Sequence, residues 1–72
     1  MHLLEFELST DYIELIKLLK LLGLCESGAD AKIMVEEGLI ISNGEVEYRK
    51  RKKVRKGDLI FIEEQDTQIK IL

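Results

Sequence analysis

Leu4, Phe6 and Leu8 alternate with Glu5 and Glu7, the period-two pattern of a strand with one face buried. The period then changes. Tyr12, Leu15, Ile16, Leu19 and Leu22 recur at helical spacing, with N-cap candidates in Ser9-Thr10-Asp11 and a stop at Gly23. A second helix opens at Ser27, whose hydroxyl can cap it, and Asp30 stands three residues on at capping-box spacing. It runs through Ala29, Ile33, Met34 and Val35 to Gly38. Two strands follow, Leu39–Ser42 and Glu45–Tyr48, around Asn43-Gly44, whose residue types suit the positive φ of a tight hairpin turn. Lys56-Gly57-Asp58 turns the chain into a strand at Leu59–Glu63, and Gln65–Thr67 turns it into a last one at Gln68–Leu72.

The order β-α-α-β-β-β-β predicts an α+β fold, with two short helices packed on one face of a small, mostly antiparallel sheet. Helices this short are stable only when packed on something else. Tyr12, Leu15, Leu19, Leu22, Ile33, Ile41, Val46, Val54, Ile60 and Ile62 are the expected core, and a largely exposed Leu19 or Ile33 would sink the helix assignment. No proline, repeat or Ser/Gly-rich linker divides the chain, so residues 1–72 read as one domain.

Composition narrows the chemistry. Seventy-two residues with two Phe and two Tyr make an aliphatic core too small to enclose a ligand-sized cavity. Cys25 has no second cysteine for a disulfide, and with His2 it cannot complete a four-ligand zinc site, so neither metal nor cofactor is expected. Cys25 itself reads as a small buried or half-buried thiol and His2 as a frayed terminal residue. Residues 1–8 lack the basic and apolar regions of a signal peptide. Glu14, Lys17 and Lys20 interrupt the longest apolar stretch, so no membrane span is expected. A reducing, cytoplasmic setting suits these features. The acidic pairs Glu36-Glu37 and Glu63-Glu64 read as solvated faces, because neighbouring residues point apart.

Charge changes the picture most. Between Arg49 and Lys56 seven of eight residues are cationic, although the chain carries −3 overall. Residues 1–48 carry −7, residues 49–58 carry +6, and residues 59–72 carry −2. A basic run on an acidic body attracts polyanions at one edge, and packing seven like charges into an internal loop is costly without counter-charge.

The stretch from Ser27 through Ala29, Lys32, Gly38 and the strand Leu39–Ser42 to Asn43-Gly44, continued by Lys56-Gly57-Asp58-Leu59-Ile60, resembles the RNA-binding domain family named after ribosomal small-subunit protein four. The fold is also called the αL RNA-binding motif. The resemblance extends from about Tyr12 to Ile62, and Glu26–Lys32 together with Arg49-Lys50-Arg51 looks most like the stand-alone bacterial YbcJ-type members. It implies RNA binding through the start of the second helix, the hairpin edge and the basic loop. By position, Ser27 would cap and order that helix, Lys32 would lie on its RNA-facing side, and Asn43 and Gly44 would shape the turn. Arg49, Lys50, Arg51, Lys52, Lys53, Arg55 and Lys56 would reach phosphates. Many members place an arginine directly after the capping serine, whereas Gly28 stands there in this chain.

These readings lead to a non-catalytic protein that recognises structured RNA, with ribosomal and transfer RNA among the candidates, through phosphate contacts. Only Tyr48 adjoins the basic run in sequence, which disfavours a stacking platform for single strands. The alternative is a protein-interaction adaptor whose basic loop grips an acidic partner. DNA reading by the second helix is weaker, because Lys32 is its one long basic residue and Glu36 and Glu37 would meet phosphates. No nucleophile, base and stabiliser occur together, so neither an enzyme nor a small-molecule substrate is expected.

Overall fold

The computed structural model describes residues 1–72. Strand β1 (His2–Phe6) is followed by a two-residue strand β2 (Ile13–Glu14) and helices α1 (Leu15–Leu21) and α2 (Gly28–Glu36). The hairpin β3 (Ile40–Ser42) and β4 (Glu45–Val46) comes next, then β5 (Lys53–Val54) and β6 (Leu59–Ile62). A 3-10 turn at Glu63–Gln65 leads into β7 (Thr67–Ile71). The fold is α+β, as the periodicity predicts.

Five strands form one sheet in the order β1-β7-β6-β3-β4, while β2 and β5 pair in a separate two-stranded sheet. All pairs are antiparallel except β1 with β7, which run parallel from His2 opposite Thr67 to Phe6 opposite Ile71. Ile40, Ile60, Ile62, Ile69 and Ile71 point to one face, where they are buried with Leu15, Leu18 and Leu19 of α1 and Ala31 and Val35 of α2. Alternation sends Leu3, Gln68, Phe61, Ile41 and Val46 to the other face, with Leu3 and Val46 exposed.

The turns show why their residue types were needed. Asn43 and Gly44 both have positive φ, 51° and 86°, so the β3–β4 connection is the mirror-image turn that matches strand twist. The Ser27 hydroxyl accepts a hydrogen bond from the Asp30 amide at 3.2 Å and caps α2.

Several expectations are corrected. Ser9-Thr10-Asp11 does not start a helix: the chain is extended at Ile13–Glu14, and α1 begins at Leu15. Tyr12 therefore lies outside the helix and is 40% exposed. Ile33 is 51% exposed on a helix that nevertheless forms, so its exposure does not count against α2. The buried positions are Ala31 and Val35, one turn apart, and the small Ala31 packs at the core where the larger Ile33 was expected. Leu22 and Ile41 are half-buried. The strand expected through Tyr48 stops at Val46, and its facing is reversed: Val46 is 46% exposed whereas Glu47 is buried. His2 is part of β1 rather than frayed, its amide donating to the Asp66 carbonyl.

Candidate nucleic-acid interface

The basic run is not a free loop. The amides of Leu15 and Ile16, at the start of α1, donate to the carbonyls of Lys52 (2.9 Å) and Lys50 (3.4 Å). The run thus supplies backbone acceptors to helix donors that have no partner within the helix. Immediately after, Lys53 and Val54 pair with Glu14 and Ile13, and Val54 is buried in the core. The run closes in a turn where the Asp58 carboxylate accepts from the Arg55 amide at 2.9 Å and the Asp58 amide donates to the Arg55 carbonyl. Backbone bonds therefore fix both ends and the middle.

Counter-charge is present too. Glu47 accepts from Arg49 Nε (2.9 Å), Arg49 Nη2 (3.0 Å) and the Arg49 amide (3.0 Å), and Lys52 Nζ lies 3.9 Å away. The Arg49 side-chain hydrogen bonds hold the Glu47 carboxyl below the usual range against the opposing effect of burial. Glu47 in turn raises the Arg49 guanidinium. Lys50 Nζ pairs with Glu36 at 2.8 Å, and that hydrogen bond lowers the Glu36 carboxyl. Glu36, exposed as expected, also links the basic run to the end of α2. Both partners are exposed, so the pair contributes little stability.

Four cations of the run, Arg51, Lys53, Arg55 and Lys56, have no carboxylate within ion-pair distance. All four are exposed. Lys53 Nζ lies 5.0 Å, and Arg55 Cζ 5.7 Å, from the centre of the Tyr12 ring. An open depression beside them is lined by Leu8, Ser9, Thr10 and Asp11 facing Arg55 and Lys56.

The expected site residues divide into two groups. Lys32 is exposed on α2 one turn before Glu36, and Glu36 brings Lys50, with Arg49 beside it, to this side. Ser27 stands at the far end of α2 from Glu36, about 13 Å along a helix of this length, and its hydroxyl is engaged as the cap. Asn43 belongs with the other end of the run. Its Nδ2 donates to the Asp58 carboxylate at 3.2 Å and its Oδ1 accepts from the Leu59 amide at 2.9 Å, tying the hairpin to the turn after Arg55.

Sequence reasoning missed Tyr12, Glu47 and Glu36. Glu47 and Arg49 are two residues apart, a spacing too common to single out. Tyr12 meets Lys53 only because β2 pairs with β5, and two-residue strands leave no periodicity to read. Cys25 is half-buried, and burial chiefly raises its thiol, which makes a poor nucleophile. No group of three or more His, Cys, Asp or Glu side chains is placed to hold a metal. No helix is long and apolar enough to cross a membrane.

Comparison with known proteins agrees with this architecture. The S4 domain profile matches residues 6–70. The chain is 43% identical over 58 residues to the Escherichia coli (strain K12) protein named "Putative RNA-binding protein YbcJ", covering 81% of this chain and 83% of that one. A Shigella flexneri protein named "Uncharacterized protein YbcJ" matches to the same extent. With its hairpin, its Ser27-capped helix and its pinned basic run all inside the matched span, the chain belongs to the S4 domain family.

Proposed function

We propose that this protein binds structured RNA without catalysing a reaction, through phosphate contacts from the basic run and the exposed side of α2. The observation that carries the reading is the division of the run. Arg49, Lys50 and Lys52 are held by Glu47 and Glu36, and they brace a frame that presents Arg51, Lys53, Arg55 and Lys56 to solvent. Preorganised cations spend less of their interaction energy on ordering than a flexible loop would. The name of the E. coli relative points to the same ligand. Lys32 extends the surface along α2, and Ser27 and Asn43 serve it by fixing the helix start and the hairpin. Arg49 and Lys52 act mainly as braces and Lys50 as a contact shared with Glu36. Such a protein would work in the cytoplasm, where ribosomal and transfer RNA are its candidate ligands.

The test is a titration of a labelled RNA hairpin at several salt concentrations. Four or five phosphate contacts predict a log–log salt slope of about −3 to −5. The variant Arg51→Glu/Lys56→Glu should lose affinity for every hairpin by a similar factor, since phosphate contacts do not read sequence. It should melt like the wild type. Lys17→Glu/Lys20→Glu, on the exposed side of α1, should bind normally. Equal losses in the two variants would move the binding face to α1. A failure to bind any RNA at low salt, with retention of an acidic protein instead, would favour the adaptor reading.

A further inference from the structure

Tyr12 is held at a place where the core does not need it. The residue is 40% exposed, its carbonyl is fixed by a 2.8 Å hydrogen bond from the Thr10 hydroxyl, and the next residue, Ile13, is anchored opposite Val54. Lys53 and Arg55 flank Val54 on an extended segment, so both emerge on the side opposite the buried valine. That geometry sets two unpaired cations against one exposed aromatic ring.

A nucleotide offers partners to both halves of this arrangement. Its base has a π-face for the ring, and the phosphates on either side match the ammonium and guanidinium groups. Paired bases in a helix have their faces covered by their neighbours, so an uninterrupted RNA duplex can use the cations and not the ring. An unpaired nucleotide can use all three. Ser9, Thr10 and Asp11, whose polar groups can meet a base edge, line an open groove with Tyr12 and a second depression with Arg55 and Lys56.

Building on the RNA reading above, we infer that Tyr12, Lys53 and Arg55 form a stacking site for one unpaired nucleotide, so that the preferred ligand is an RNA helix interrupted by a bulge or junction. The remaining cations then grip the flanking helix. A base arriving at the ring stacks on its accessible face or replaces one of the cations, which passes to the adjacent phosphate.

The experiment compares two RNA hairpins that differ only by a single bulged 2-aminopurine in the stem, read by affinity and by the fluorescence of that base. Wild-type protein should bind the bulged hairpin about 5- to 160-fold more tightly, the range that one base–aromatic stack supplies, and should quench the fluorescence. Tyr12→Phe keeps the ring face and should retain both effects. Tyr12→Leu should bind both hairpins with the affinity that the wild type shows for the uninterrupted one, without quenching. Equal wild-type affinity for the two hairpins, or quenching that survives in Tyr12→Leu, would overturn the stacking site and leave phosphate binding intact. If neither hairpin binds at low salt, the RNA reading falls and this site with it. The wild-type comparison decides the matter even if a Tyr12 variant folds poorly.

Discussion

Glu47 is the residue on which the basic run depends, because a buried carboxylate with three hydrogen bonds from Arg49 holds the chain at the point where it leaves β4. Its carboxyl is lowered in the folded protein, so its contribution is fully present above about pH 4.5 and is lost as pH falls through the lower folded value. Acid titration of stability should show this loss in the wild type, and Glu47→Gln should flatten that part of the curve. Although Arg49→Glu/Arg51→Glu relieves like-charge crowding in the run, it should be destabilised because it breaks the Arg49 bonds to Glu47. Arg49→Glu replaces a donor with a second negative charge and should cost roughly 1–3 kcal/mol, the scale of an unpaired buried acceptor. Arg51→Glu alone, with no carboxylate partner to lose, should melt like the wild type. At Gly44, φ of 86° excludes a β-branched residue, so Gly44→Val should lower stability by about 1–3 kcal/mol in urea denaturation.

At the scale of elements, what could be read in advance depended on length and period. The hairpin was legible because Asn43-Gly44 demands positive φ, and α2 because Ser27 and Asp30 stand at capping distance. Ser27→Ala should cost about 1 kcal/mol in thermal or urea unfolding, the usual value of a lost N-cap. The start of α1 was not legible. Its first amides are satisfied by carbonyls of Lys50 and Lys52, more than thirty positions away, and no local pattern encodes that partner. The same blindness hid the β2–β5 pair. As a result, the cations of the candidate site could be named from sequence while their division into braced and free groups could not. That division depends on the facing of Glu47, which the alternation of Val46 and Glu47 suggested the wrong way round.

Across the whole molecule, the acidic and basic stretches of the sequence meet in space where Glu36 pairs with Lys50, fourteen positions away, while Glu47 and Arg49 pair as near neighbours in the chain. The run is therefore less basic as a ligand surface than its composition implies. On the proposed reading, the four cations without a carboxylate partner and Lys32, with Lys50 shared with Glu36, set the scale of salt dependence.

The parallel pairing of β1 with β7 has a consequence for synthesis. Residues 2–6 are made about 65 positions before residues 67–71, their hydrogen-bonding partner, so this side of the sheet stays open until β7 has emerged. Contacts so distant in sequence make closure a late and slow event. Until then Ile60 and Ile62 lie on an unpaired edge that can recruit other chains. Chains truncated after Ile62 should be cleaved rapidly by added protease, while chains extending past Leu72 should resist. In this protein β7 acts as the latch that ends the exposure of β6 to aggregation and proteolysis.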